Sequence, residues 1–405
     1  MAMIAVLGTL DTKGAEHAFV AEAIRRRGHE VCLIDVGTGA PPTIEPDIRR
    51  EQVAAGAGLD LAAIIARHDR GEAVTAMSRA APLFLAQLHR EGRLAGIISL
   101  GGGGGTAIAT AAMRALPLGV PKLMVSTLAS GNTAHYVGAS DLVMMPSVVD
   151  VSGINRVSAL VLTRAAGAIC GMVEARTEST STKPLLAASM FGNTTECVEI
   201  ARRICEQAGY EVLVFHATGT GGRALEALVG SGLVDGVLDI TTTEWADELC
   251  GGVLTAGSER LDAAARTGTP AIVVPGCLDM VNFGAPETIP PRYAERTFYR
   301  HNPQVTLMRT TPAECAELGK ILARKLNAST GPVSVLLPLK GLSIISAPGG
   351  PFHDPAADAA LFAALKANLR PDIPVQEFDC TINDERFARA CAQALLNLVA
   401  AAKNS

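Results

Sequence analysis

Three short stretches of this 405-residue chain combine residue types that handle phosphate. The first, Gly8-Thr-Leu-Asp-Thr-Lys-Gly14, offers hydroxyls at Thr9 and Thr12 and an ammonium at Lys13. Asp11 within it is the candidate metal ligand, able to hold magnesium directly or through water. The second is a run of five glycines, Gly101, Gly102, Gly103, Gly104 and Gly105, followed by Thr106 and a stretch of helical character. Glycine runs weaken regular elements, but at a strand-to-helix turn they let backbone N–H groups converge on an anion. The third, Ser126-Thr-Leu-Ala-Ser130-Gly131-Asn132-Thr133, is rich in small hydroxyl residues. Together the three predict a nucleotide cradle, with Gly8 opening its first loop and Thr106 capping a helix while binding an anion. Helix capping by Asp11 or Thr12, and tight packing or a flexible turn at the glycines, are the structural alternatives.

Several familiar chemistries are excluded. The first strand-to-helix turn lacks G-x-G-x-x-G, and Asp11 there would repel a pyrophosphate, which disfavours NAD. No Gly-Lys-Ser/Thr follows the glycine run, so it is not a Walker A loop. In the second half the residue types change to acids and amides near strand ends. His216, Glu244, Asp279 and Asn282 are the candidate catalytic groups, as general acids or bases or as metal ligands. Capping or ion pairing accounts for such acids equally well. Cys277, beside a glycine at a strand end, reads as a buried inert thiol rather than a nucleophile.

The elements that must position these groups are written twice. Residues 3–7, a helix from Ala15 to Arg27 and a strand from Val31 to Val36 are echoed by residues 185–190, a helix through Ile200 and Ile204, and a strand at 212–215. Ala95-Gly-Ile-Ile-Ser-Leu100 matches Asp235-Gly-Val-Leu-Asp-Ile240, and Gly119-Val-Pro-Lys122 matches Gly268-Thr-Pro-Ala271. This pattern predicts an α/β chain of two Rossmann-like, doubly wound parallel-sheet domains related by internal duplication. The expected domains are residues 1–180, holding the nucleotide, and 184–405, the substrate side, with a ligand cleft between them. Arg176 to Pro184, rich in Ser and Thr, is the expected linker.

Composition narrows the setting. Hydrophobic residues at 48% and charged residues at 19% exclude a disordered chain. A net charge of −5, without interleaved basic and aromatic residues, gives no case for nucleic acid. Nine scattered cysteines without C-x-x-C suggest reduced thiols in a cytoplasmic protein. The first residues do not read as a secretory leader, and no apolar stretch reads as a membrane span.

The same motifs resemble the family formed by the N-terminal half of the tomato mosaic virus resistance protein and its uncharacterised bacterial relatives. The resemblance lies in Gly8 to Gly14, Ser99 to Thr106, Ser130 to Thr133 and Met144 to Arg156. It continues through Phe215 to Gly219, Thr241 to Glu248 and Cys277 to Phe283. It implies two Rossmann-like domains, ATP bound in the first, and a homodimer. The resulting expectation is an ATP–Mg²⁺-binding enzyme that transfers phosphoryl to, or activates, a small polar metabolite such as a sugar acid. A non-catalytic nucleotide-dependent sensor is the alternative.

Overall fold

Short apolar strands alternating with helices can bury both strand faces only in a parallel sheet covered on each side. The computed structural model describes residues 3–176 and 182–403. Residues 177–181, the middle of the expected linker, lie outside the described residues. The chain divides into two units, Met1–Ser179 and Thr180–Ser405.

The first unit begins with β1 (Met3–Gly8), α1 (Leu10–Arg25), β2 (Val31–Asp35), α2 (Arg50–Ala55), α3 (Leu61–Ile65) and α4 (Arg70–Arg90). It continues with β3 (Leu94–Gly101), α5 (Gly103–Arg114), β4 (Lys122–Ser126), α6 (Ala134–Val137), β5 (Val143–Pro146) and α7 (Arg156–Glu174). The strands form one parallel sheet in the order β2-β1-β3-β4-β5. Alternate residues go to opposite faces, as the period of a strand requires. Ala5, Leu7, Ile34 and Ile97 pack with α4 and α5. Ile4, Val6, Leu33 and Ile98 pack with α1 and α7.

The second unit opens with β6 (Leu185–Met190), α8 (Thr195–Gln207), β7 (Glu211–His216), α9 (Thr220–Gly230), β8 (Gly236–Thr241), α10 (Glu244–Cys250), α11 (Asp262–Thr267) and β9 (Ala271–Gly276). Then come β10 (Met280–Phe283), β11 (Phe298–Asn302), β12 (Val305–Arg309), α12 (Pro312–Asn327), β13 (Val333–Pro338), α13 (Pro355–Asn368), β14 (Val375–Phe378) and α14 (Glu385–Lys403). Its main sheet, read from the other edge, runs β7-β6-β8-β9-β13-β14, the first unit's order with one strand added.

Register confirms the duplication at residue level. Ile4 faces Gly96 in the first sheet and Leu186 faces Gly236 in the second. Ile97 faces Lys122, and Val237 faces Ala271. The pairings match until β9 gains one residue between its partners of Asp239 and Thr241; counted along β3 and β8, Gly104 corresponds to Glu244.

Two features depart from the sequence reading. The segment after β9 does not simply close a strand-to-helix turn. It leaves the main sheet to form a small antiparallel sheet, β10-β12-β11. The apolar runs there are short and one faces a separate cluster of Cys277, Met280, Leu307, Ile345 and Phe352, so their period does not advertise a second sheet. Also, contrary to expectation, α7 is long and apolar enough to cross a membrane by length and composition. Its Leu162, Ala165, Ala166 and Ile169 instead pack on the first sheet.

Gly8 is a packing glycine, not a ligand glycine. A Cβ there would stand 2.2 Å from Nε2 of the fully buried His17. Gly8→Ala is therefore expected to lower stability by about 1–3 kcal/mol, the usual cost of overpacking a core, read from denaturant midpoints.

Candidate functional site

Strand order decides where a ligand can enter the first unit. The connections leaving β1 and β3 run to opposite faces of the sheet, and the crevice between them opens at the carboxyl ends of both strands. A cavity of about 700 Å³ lies there. One wall is Thr9, Asp11, Thr12 and Lys13 after β1, and another is Gly102, Gly103, Gly104 and Gly105 after β3. Thr38 to Ala40 close one side, while the α3–α4 junction, from Ile65 to Val74, closes the other.

The glycine run is helix, not loop, over most of its length. Thr106 N donates to Gly102 O at 2.8 Å, closing the first turn of α5 on Gly103, Gly104 and Gly105. The first amides of any helix have no partner inside it. Asp69 caps the start of α4 and Asn155 that of α7 through side-chain oxygens, and Asp35 Oδ1 accepts from Leu10 N at 3.1 Å at the start of α1, but α5 has no side-chain cap among the described residues. The starts of α1 and α5 both line the cavity, so the positive ends of two helix dipoles gather there, with the free amides those of α5.

The fold does not require these glycines. None of Gly102 to Gly105 has a positive φ. A Cβ on Gly102, Gly104 or Gly105 would come no nearer than 3.6 Å to other atoms, and one on Gly103 would meet nothing within 4 Å. Only Gly101, ending β3, is tight, its Cβ position lying 3.2 Å from Gly105 Cα. Glycine in a helix costs about 0.5–1 kcal/mol relative to alanine, so a packing explanation fails for four of the five.

Charged groups complete the cavity. Arg70, the first residue of α4, is exposed and has no carboxylate partner among the described residues; its Nη2 lies 3.9 Å from the Cβ position of Gly104. The sequence reading missed Arg70, because the 58 residues between β2 and β3 hide where that helix begins. Lys13 lines the cavity but its Nζ donates to Val151 O, and its own backbone departs from helical angles. His17 Nδ1 donates to the displaced Lys13 carbonyl at 2.7 Å, and burial pushes that imidazole pKa down. Asp11 Oδ2 accepts from Gly39 N at 2.8 Å, while Oδ1 is buried without a partner among the described residues. That orphaned oxygen fits a magnesium ion, which binds through one or two carboxylates, phosphates and water. Among the described residues no group of three or more His, Cys, Asp or Glu is arranged to hold a metal.

Other expected ligand residues are held elsewhere. Thr106 and Ser126 are buried, and their hydroxyls bond each other at 2.7 Å. Ser126 Oγ also accepts from Leu128 N at 3.0 Å, so this pair fastens β4 to α5 and does not reach the cavity. Ser130, Gly131 and Asn132 form an exposed turn away from the cavity lining, where Asn132 Oδ1 accepts from Ala134 N.

In the second unit three of the four expected catalytic groups are enclosed. Glu244 is 1% exposed; Oε1 accepts from Gly219 N and Gly222 N, and Oε2 from Arg260 Nε at 2.7 Å. Arg260 also holds Asp239 through two 2.6 Å bonds and reaches Glu226 at 3.2 Å. Asn282 is buried against Asp247, whose carboxyl burial pushes up to about 7. Asp279 is buried beside Ser343, whose Oγ donates to Oδ2 at 2.7 Å. Glu244, Asp279 and Asn282 thus sit in three separate buried networks with no open face, Asp279 Oδ1 and Asn282 Oδ1 having no partner among the described residues. His216 alone of the four is exposed, stacked on Phe191 with ring centres 5.5 Å apart. Cys277 is fully buried, and burial drives its thiol pKa well up.

Comparison with known sequences gives one consistent result. The model described as "Uncharacterised protein family (UPF0261) N-terminal domain" matches residues 2–178, and that of its C-terminal domain matches residues 183–399. A UPF0261 protein of Clostridium tetani is 49% identical over 98% of both chains. The ToMV resistance protein Tm-1 of Solanum lycopersicum is 46% identical over 81% of this chain and 45% of its own length. Among solved structures, a UDP-N-acetylglucosamine 2-epimerase of Rickettsia bellii is 12% identical over 67% of this chain and 78% of that one. Its TM-score of 0.23 carries no argument.

Two outcomes follow from the geometry. Gly103→Ala should leave thermal stability unchanged or raise it by up to about 1 kcal/mol, since nothing opposes the methyl group. The second concerns Asp279, whose carboxyl burial pushes up to about 6, with Arg309 pulling the other way. An unfolded Asp titrates near about pH 4, so between there and about pH 6 the folded chain holds a proton that the unfolded chain has lost. This contribution to stability is complete below that window and lost as pH rises through it. Asp279→Asn, neutral throughout, should gain on the order of 1 kcal/mol over wild type between about pH 5 and about pH 8 in denaturant titrations.

Proposed function

Since the chain belongs to the UPF0261 family, whose description names no reaction, we propose a function from its own geometry: the first unit binds ATP with Mg²⁺ in the cavity at the β1/β3 crevice. The observation that carries this reading is the side-chain-free start of α5, which no steric or backbone requirement explains. Glycine at those positions lets a phosphate come against the amides themselves.

Each part of the ligand has a counterpart. The amides of Gly103, Gly104 and Gly105 and the guanidinium of Arg70 receive phosphate oxygens, Arg70 through two parallel donors. Lys13 exchanges the Val151 carbonyl for a phosphate, a stronger acceptor because it is charged. Asp11 Oδ1 takes the magnesium ion, which when bound neutralises charge between phosphates. Ile65, Ala73, Val74 and Ile108 form an apolar wall suited to a base. A volume of about 700 Å³ admits a nucleotide rather than phosphate alone.

For an enzyme of phosphoryl transfer or ATP-driven activation, positioning and charge stabilisation by these first-unit groups supply the catalysis. Glu244, Asp279 and Asn282 take no part. Their enclosure favours a second reading, a nucleotide sensor without turnover.

Calorimetric titration with ATP and Mg²⁺ tests the binding. Arg70→Ala is expected to weaken it by about tenfold or more, with stability unchanged, because the side chain has no carboxylate partner to lose. Absence of binding by the wild-type chain ends the proposal. ADP release that requires a metabolite pool selects the enzyme, and binding without release under any pool selects the sensor.

A further inference from the structure

We infer that Glu244 is a built-in anion, filling in the second unit the place that a ligand's anionic group takes in the first. The inference rests on reading the first-unit cavity as an anion site. The pairing registers of the two sheets equate Gly104 with Glu244, and in each unit the helix before the central strand, α4 or α9, starts alongside. In the first unit that neighbourhood is open: Asp69 and Asp11 also line it, but Asp69 is turned to Glu72 N at the start of α4, and Arg70 has no carboxylate partner among the described residues.

In the second unit the same neighbourhood is filled from within. Glu244 Oε1 accepts from the amides of Gly219 at 2.7 Å and Gly222 at 3.0 Å, at the start of the eleven-residue α9. Its other oxygen accepts from the fully buried Arg260. The backbone is shaped around this carboxylate. A Cβ on Gly222 would stand 2.2 Å from Glu244 Oε2, and Gly219 adopts a φ of 81°. Two helix-start amides plus a guanidinium are the donor set of an oxyanion site, here with the oxyanion supplied by the chain. Asp239 and Glu226 keep Arg260 paired whatever stands at position 244.

The duplicated halves are thus one device in two settings, open and self-filled. The chain therefore binds one anionic ligand and not two, and Glu244 serves as the ligand's replica rather than as an acid or base. The group it replicates is a terminal phosphate or carboxylate, which both accept several donors at once.

Reciprocal exchange tests this. Gly104→Glu should fold with a thermal midpoint at or above wild type and lose inorganic phosphate by about tenfold or more, as its new carboxylate meets Arg70. Glu244→Gly should melt lower than wild type in anion-free buffer, recover on addition of phosphate or acetate, and bind one more phosphate per chain in equilibrium dialysis. Glu244→Ala, which keeps more helix propensity, should show the same recovery. A midpoint that neither anion raises beyond its effect on wild type, including chains that stay unfolded in both, overturns the inference. If wild type binds no phosphate and Glu244→Gly binds one, the first-unit reading falls and the replica in the second unit stands. If wild type and Glu244→Gly each bind one phosphate, the first-unit reading stands and the replica falls.

Discussion

A parallel sheet delivers every strand-to-helix turn to the same edge, and each turn there starts a helix whose first amides have no partner inside it. That requirement organises both halves of this chain. Some starts are met by a nearby side chain, as Asp69 meets α4 and Asn155 meets α7. In the second unit a residue from the neighbouring turn, Glu244, meets the start of α9. At α1 the carboxylate of Asp35, at the end of β2, accepts from Leu10 N, whereas at α5 no side chain among the described residues plays that part; both starts border one cavity.

The two halves therefore share a frame and differ in what fills it. Matching pairing of β1 with β3 and of β6 with β8 puts Gly104 and Glu244 in corresponding places, one beside an open cavity and the other filling its surroundings. Around Glu244 an acid-rich, largely buried network has grown, with Arg260 at its centre. Burying such charges is tolerable only because every one is paired, and removing one partner would leave an uncompensated charge. Acids in this arrangement hold a fold together. The groups available to a ligand are instead Asp11, Lys13, Arg70 and the glycine amides.

Much of this was legible in the sequence. Alternating apolar runs and the repeated strand signatures give two doubly wound sheets, and the glycine run marks a strand-to-helix junction where it stands. What was not legible depends on contacts distant in sequence. Thr106 and Ser126 looked like ligand hydroxyls, yet twenty residues apart they spend themselves on each other. Glu244 looked free because Arg260 has no sequence signature as its partner. Asp279 and Asn282 were read beside a main-sheet edge, but Met280 to Phe283 belongs to a small antiparallel sheet. Arg70 was invisible because its place at the cavity depends on how α2 and α3 fold, and local pattern says little about that. Gly8 and Gly103 look alike in sequence, and only the space around each separates packing from approach.

The central claim is that the start of α5 is bare so that phosphate can rest on it. A structure of the chain crystallised with Mg²⁺ and a non-hydrolysable ATP analogue tests it most directly. Phosphate oxygens within about 3 Å of the Gly103, Gly104 and Gly105 amides, with Arg70 turned toward them, are the expected result. An analogue bound elsewhere, or an empty crevice at saturating analogue, would contradict it.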